Sequence, residues 1–315
     1  MQSQQQQLIS QLTLWLAEGQ PVWLCTVVET FGSSPRPAGS MMACVSSGAM
    51  VGSLSGGCIE EDLLERLAAG EFEHQFPLMQ PYGVDREQAE RLGLPCGGSM
   101  QICIEQLLPD AKNVARYQAL QASIEQRQPM QRRLCRETGQ VQLETAEAYQ
   151  RLVVTVTTLT KTFAPQYRLV IVGAGQIASY LAEMANSVGF EVIITDPRAT
   201  MLSDWSVAEA RMIQGMPDEV VSEWAVDGCS AIVTLTHDPR IDDMALMEAL
   251  KTPAFYVGAL GSKKTTAVRK ERLKQLELSE AEIARLDAPI GLPIGSKTPP
   301  EIAVSIIAKL IEQRR

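Results

Sequence analysis

Residues 168–198 read RLVIVGAGQIASYLAEMANSVGFEVIITDPR, and this stretch decides the fold of the C-terminal half. An apolar run, Leu169–Val172, ends in Gly173-Ala174-Gly175-Gln176-Ile177-Ala178. A helix-like segment follows, and a second apolar run, Val192–Thr195, ends in Asp196, 23 positions after Gly173. Strand, glycine turn, helix, strand and acid in that order are what a dinucleotide-binding βαβ unit requires. Gly173 permits the tight turn, Gly175 lets backbone N–H groups approach a pyrophosphate, and Ala178 lets the helix lie close on the strand. The helix start then offers phosphates unpaired donors and the positive end of a dipole.

The same alternation continues to the C-terminus. The pattern predicts further strands at Ala231–Leu235 and Ala254–Val257, and helices at Gln176–Val188, Asp218–Ala225, Arg240–Leu250, Lys263–Leu276 and Pro300–Gln313. Strands alternating with helices imply a doubly wound parallel sheet, hence a Rossmann-like α/β fold. Ligands of such sheets sit beyond the carboxyl ends of the strands, and four strand ends here carry polar or glycine-rich residues. They are the Gly173–Ala178 turn with Gln176; Asp196-Pro197-Arg198; Thr234–Asp238 with His237; and Gly258–Thr265 with Gly261, Ser262 and Lys263. Asp196 is expected to accept from ribose hydroxyls, and Arg198 to hold a phosphate or stack on a ring. His237 has no nucleophile beside it, so ligand contact or a structural role fits better than catalysis. Each glycine could also simply end a strand; four such ends on one edge favour a binding role.

Composition bounds the remainder. A chain of 315 residues suggests two domains with separate cores, 45% hydrophobic and 21% charged residues are ordinary for a globular protein, and a net charge of −9 argues against nonspecific nucleic-acid binding. No apolar run approaches the roughly 20 residues of a membrane span, and the polar N-terminus lacks a basic segment and a cleavage site. Seven cysteines without a CxxC pair suit reduced thiols in a cytoplasmic setting. Two histidines, His74 and His237, are too few and too far apart for a zinc site. A homodimer is the expectation from base rates.

The first half reads as an α+β domain over residues 1–160, joined by a polar linker within 157–166 to a second domain over 166–315. Helices are predicted at Gln4–Glu18, Cys58–Ala69, Asp85–Leu92 and Ala111–Gln128, the last polar enough to lie on the surface. Strands are predicted at Val22–Val28, Met41–Val45, Met50–Ser53, His74–Met79 and Met100–Ile104, with weak edge strands in Met130–Thr157. Three small-residue loops stand out. In the first, Arg36 lies between Pro35 and Pro37, a stiff presentation of one guanidinium suited to phosphate or pterin recognition. In the second, Leu54-Ser55-Gly56-Gly57 precedes a helix and forms an anion-binding nest. Cys58 at that helix start should have a lowered thiol pKa, and its thiolate could bind a soft metal or pass sulfur. Cys96, beside Gly97 and Gly98, is a second such thiol; both cysteines could equally be buried and inert.

Taken together these segments resemble the XdhC/CoxI family, the xanthine dehydrogenase accessory proteins. In the first half the likeness rests on GSSPRPAGSMMAC (32–44), VGSLSGGCIEEDL (51–63) and CGGSMQICIE (96–105). In the second it rests on VIVGAGQIA (170–178), TDPR (195–198), THDPRIDDMAL (236–246), YVGALGSKKT (256–265) and PIGLPIGSKTPPEIAVSI (289–306). Gln176 stands where the family often has His, and Lys263-Lys264 where arginines are frequent. The resemblance implies a chaperone that binds the molybdenum cofactor, protects it, assists its sulfuration and inserts it into an apo-molybdoenzyme of the xanthine dehydrogenase type. It also implies a cysteine desulfurase and a cofactor nucleotidyltransferase as partners and a molybdopterin cytosine dinucleotide as one form of the cargo; for such a cargo the soft metal that the Cys58 thiolate could contact is molybdenum. The rival reading is an NAD(P)-dependent oxidoreductase using Gly173–Ala178 and Asp196.

Overall fold

A computed structural model describes residues 3–32, 36–72, 77–83, 99–146, 151–203 and 205–314. The described residues divide into two compact units, one formed by residues 3–165 and the other by residues 166–314.

The N-terminal unit is built on a five-stranded antiparallel sheet. Its first helix, α1 (Gln4–Ala17), starts from a capping box in which Ser3 and Gln6 exchange side-chain and backbone bonds. Strands β1 (Val22–Phe31), β2 (Met41–Val45) and β3 (Met50–Gly52) follow, then α2 (Cys58–Ala68), β4 (Leu78–Tyr82), β5 (Ser99–Leu107) and α3 (Ala111–Glu125). The strand order is β3-β2-β1-β5-β4. Period-two alternation sends Val22 and Leu24 to one face, against Leu12, Leu16, Tyr117 and Leu120 of α1 and α3. It sends Cys25 and Val27 to the other, against Ile59 and Leu63 of α2. Helix α3 therefore buries one face rather than lying wholly on the surface.

A second, four-stranded sheet completes the unit from β6 (Met130–Cys135), β7 (Val141–Thr145), β8 (Val153–Val154) and β9 (Thr158–Phe163), in the order β7-β6-β9-β8. The linker expected over 157–166 is corrected here. Thr158–Phe163 is an interior strand paired with β6 from Met130↔Phe163 to Cys135↔Thr158. Its polar look misled because two threonines and a lysine are buried on a strand with partners on both sides. The expected strand at His74–Met79 begins later, at Leu78, with residues 73–76 outside the described residues. The expected helix at Asp85–Leu92 and the Pro95–Gly98 loop lie outside them as well.

The C-terminal unit alternates strictly: β10 (Arg168–Val172), α4 (Gln176–Ser187), β11 (Glu191–Thr195), α5 (Ala199–Ser203), β12 (Ala210–Ile213), α6 (Pro217–Trp224), β13 (Ser230–Thr234), α7 (Pro239–Ala249), β14 (Tyr256–Ala259), α8 (Lys263–Gln275), α9 (Glu280–Ala284), β15 (Leu286–Asp287) and α10 (Pro299–Gln313). All six strands are parallel, in the order β12-β11-β10-β13-β14-β15. That is the doubly wound Rossmann arrangement, with its switch point between β10 and β13. Leu169 and Ile171 face Leu181, Ala182, Ile306 and Leu310 of α4 and α10. Val170 and Val172 face Val221, Leu246 and Leu273 of α6, α7 and α8. The fold class expected from residues 168–198 holds. The strand at Ala254–Val257 sits two residues later, and β12 and β15 were not foreseen.

Candidate functional site

At the switch point, β10 ends in the glycine turn. Gly173 has φ +104°, and a Cβ there would stand 2.7 Å from Thr236 Cγ2. Only glycine meets both conditions, so the turn is pressed against the end of β13. Gly175 differs. Its φ is −88°, it caps α4 without a side-chain bond, and a Cβ there would meet nothing within 4 Å. A glycine that neither backbone angle nor packing requires leaves room beside the first amides of α4. Gln176, the first residue of that helix, is exposed.

Asp196 behaves otherwise than the sequence suggested. Its carboxylate is 0% exposed. One oxygen accepts from the Ala174 N–H at 3.1 Å and Arg198 Nη2 at 2.7 Å, and the other from the Arg198 N–H at 3.0 Å and Arg198 Nε at 2.8 Å. Burial alone would push this carboxyl up; the Arg198 donors and the Ala174 amide more than reverse that and hold it below the ordinary range. Both oxygens are thus committed to the turn and to Arg198, leaving no lone pair facing a ribose. Arg198 is partly exposed and feels the charges of Asp238 and Asp242 from across the switch point.

Beyond β13 and β14 opens a cleft of about 480 Å³, lined in part by Thr236, His237, Leu260, Gly261, Lys264 and Arg269. That volume is within the roughly 300–1,000 Å³ usual for small-molecule sites. Gly261 lies where a Cβ would press on Thr265 Oγ1 at 2.8 Å. Ser262 caps α8, accepting from the Thr265 N–H at 3.2 Å and donating its own N–H to Thr265 Oγ1 at 2.7 Å. Lys263 is exposed and does not line the cleft, whereas Lys264 does.

The cleft floor carries a charge network that motif reading missed. Asp242 accepts from the Thr236 hydroxyl at 2.7 Å, its N–H at 3.2 Å and Arg269 Nη2 at 2.8 Å. Asp243 accepts from Arg269 Nε at 3.3 Å and Arg272 Nε at 2.6 Å. Arg269 also donates to the Leu260 carbonyl at 2.9 Å, which ties the β14 loop to α7. Burial pushes the Asp242 carboxyl up to about 6, against the pull of Thr236 and Arg269. The only sequence signal was the pair Asp242-Asp243 followed a helix later by Arg269 and Arg272. Two buried hydroxyls at neighbouring strand ends, Thr195 Oγ1 and Thr234 Oγ1, have no hydrogen-bond partner among the described residues.

In the N-terminal unit the Leu54–Gly57 nest is present, but its anion is the protein's own. Glu60 is 2% exposed. One oxygen accepts from the N–H groups of Leu54 (2.8 Å), Ser55 (2.9 Å) and Gly56 (3.0 Å) and from the Ser53 hydroxyl (2.8 Å). The other accepts from the Gly57 N–H at 3.0 Å and from the Ser55 hydroxyl. Burial would raise this carboxyl, yet the Ser55, Gly56 and Ser53 donors hold it far below the carboxylate range. The expectation that Ser55, Gly56 and Gly57 cradle an external anion is therefore corrected: their donors are satisfied internally.

Cys58 is the first residue of α2, and its side chain and Cys96 lie outside the described residues. Three other cysteines are inert, burial raising Cys25 and taking Cys44 and Cys103 to about 12. Arg36 lines a separate cleft in this unit. Among the described residues no group of three or more His, Cys, Asp or Glu is placed to hold a metal ion, and no helix is long and apolar enough to cross a membrane.

Comparison with known proteins agrees across both units. Residues 169–310 match the XdhC Rossmann domain, and residues 15–75 match the XdhC and CoxI family. The chain is 28% identical to a probable xanthine dehydrogenase subunit of Bacillus subtilis strain 168, over 93% of each chain. It is 26% identical to the molybdenum cofactor insertion chaperone PaoD of Escherichia coli K12, over 95% of this chain and 85% of that one. A crystal structure described as a xanthine dehydrogenase from Bacillus halodurans superimposes with a TM-score of 0.74 at 26% identity, covering 98% of this chain and 96% of that one.

Proposed function

This chain belongs to the XdhC/CoxI family, and from that premise we propose that it is an accessory protein that holds the molybdenum cofactor and inserts it into an apo-molybdoenzyme of the xanthine dehydrogenase type. The observation that carries the reading is the unhindered Gly175 at the start of α4, beside Arg198 and the 480 Å³ cleft of the same sheet edge. A nucleotide-bearing cargo such as molybdopterin cytosine dinucleotide has what that edge suits. Its pyrophosphate would lie on the first amides of α4, with Arg198 and Lys264 supplying positive charge. His237 would contact the ligand from the β13 loop rather than catalyse. Gly173 and Asp196 act from beneath, the first by fitting the turn against β13 and the second by bracing Ala174 and Arg198.

Sulfuration fits the same reading: Cys58, at a helix start, would take sulfur from a cysteine desulfurase or contact the metal. A cofactor nucleotidyltransferase would supply the cargo, and the apo-enzyme would receive it. An NAD(P)-dependent oxidoreductase is less well supported, because Asp196 has no oxygen left for a ribose.

The deciding experiment is native mass spectrometry of protein purified anaerobically from a molybdate-fed host, with an NADH fluorescence titration beside it. The expected result is a bound pterin with its nucleotide and no saturable NADH signal. Protein that carries no pterin, or that takes up NADH stoichiometrically, would overturn the proposal.

A further inference from the structure

A second cleft, of about 210 Å³, lies wholly within the N-terminal unit. Three cations line it, Arg36, Arg151 and Lys161, together with the hydroxyl residues Ser40 and Ser53. Among the described residues no carboxylate lines it, in a chain whose net charge is −9. A cleft whose charged lining, among the described residues, is all positive concentrates small anions on an acidic protein.

Lys161 is the telling member. It comes from β9, the interior strand, and is only 7% exposed. Its Nζ donates to the Gly39 carbonyl at 2.9 Å and sits 5.6 Å from the centre of the Phe163 ring. An ammonium has three donors, and among the described residues no carboxylate is within ion-pair distance of this one. Buried lysines ordinarily pair, because burying an uncompensated charge is costly. Burial and the neighbouring Arg151 charge pull it down to about 8, so the site as it stands holds positive charge at a cost that a bound anion would remove.

The walls are built for close approach. Gly39 has φ +86°, and a Cβ there would stand 3.3 Å from Arg151 Cγ. Gly52 has φ +85°, and a Cβ there would stand 2.3 Å from the Met41 carbonyl oxygen. The side-chain-free backbone at both positions lets the β1–β2 loop, the β2–β3 hairpin and β9 converge. Helix α1 begins at the same cleft, with Gln4 and Gln5 in its lining, and adds the positive end of its dipole. The volume falls below the roughly 300–1,000 Å³ usual for drug-sized ligands. It suits one tetrahedral oxyanion rather than a base or a pterin ring.

We propose that this cleft is a phosphoryl-binding site, in which Lys161 and Arg151 together with Arg36 hold one phosphate group through charge-assisted hydrogen bonds. It is separate from the C-terminal cleft, and the proposal stands whether or not that cleft binds a nucleotide.

The test is isothermal titration of the full-length protein with inorganic phosphate at fixed ionic strength. Glycerol 3-phosphate serves as a second probe, and tighter binding of the ester would assign the site to a tethered phosphoryl group rather than the free ion. Wild type should take up phosphate saturably. Lys161→Met, which swaps the buried charge for an apolar chain of similar length, and Arg151→Gln, at an exposed position, should each weaken binding at least tenfold. Lys309→Gln on α10, which lines neither cleft and pairs with Glu312, should leave it within twofold. If Lys161→Met fails to fold, Arg151→Gln decides alone. No saturable phosphate uptake by wild type, undiminished affinity in Arg151→Gln, or loss of binding only in Lys309→Gln would overturn the assignment.

Discussion

Two glycine turns open helices in this protein, and they do opposite things. At Leu54–Gly57 the backbone donors converge on Glu60, three residues past Gly57 and one turn into α2. At Gly173–Gly175 the carboxylate of Asp196 comes from the end of the next strand and, of the turn's own donors, takes only the Ala174 N–H, its other bonds going to Arg198. One nest is filled from within its own helix; the other is braced from behind, with its outer side open at Gly175. A glycine pattern therefore announces an anion site without saying whose anion it is. The position of the nearest acid answers that, and an acid at the third position of the helix can reach back where one a strand away cannot.

The largest effect expected from breaking this contrast is at Glu60. Glu60→Gln leaves buried donors facing an amide, and should cost about 3 kcal/mol, read as a drop in the denaturant midpoint of the N-terminal unit. A change within 0.5 kcal/mol would mean the nest does not need its internal anion.

The two units should next separate by pH. Glu60 has a lowered pKa in the folded state. Its contribution is complete above its unfolded value of about 4.3 and is lost as pH falls below that. Asp242 is raised to about 6. Its native state holds the proton more tightly, so the C-terminal unit loses on the order of 2–3 kcal/mol as pH rises from about 4 to about 6. Asp242→Asn should flatten that slope, and urea titrations across this range would show it; an unaltered slope would remove Asp242 as its source.

The glycines sharpen the comparison within one turn. Gly173→Ala forces a Cβ into Thr236 at positive φ and should destabilise the unit by about 2 kcal/mol. Gly175→Ala should leave the thermal midpoint unchanged and weaken binding of cytidine 5′-diphosphate about tenfold. If affinity survives Gly175→Ala, no ligand phosphate approaches that backbone. The smallest effect is at the cleft rim, where Lys264→Gln should weaken the same probe about threefold, the worth of one exposed charge.

The parallel sheet was legible because its signal is local and redundant: Leu169–Val172, Gly173, the α4 face and Val192–Thr195 each say the same thing. What escaped was set by distant partners. Thr158–Phe163 looks like a linker until β6 and β8 flank it. Ala210–Ile213 is a partly exposed edge strand with no apolar run. The binding edge was legible as a set of strand ends, but not the duty of each residue. Nothing in TDPR shows that Arg198 folds back to occupy Asp196, and nothing in GSKK shows that the second lysine, not the first, borders the cleft. Lys161 was invisible for the same reason, since its burial depends on Gly39 more than a hundred residues earlier.

The ion pair between Glu105 of β5 and Arg132 of β6, joined by two bonds of 3.1 and 2.5 Å and sealed from solvent, fastens the five-stranded sheet to the four-stranded one. Parting the sheets would break this bidentate pair and admit water to the contact between them. The sheets are consequently bound to melt together, and calorimetry of residues 3–165 should trace one sharp endotherm, where independently stable layers would give two.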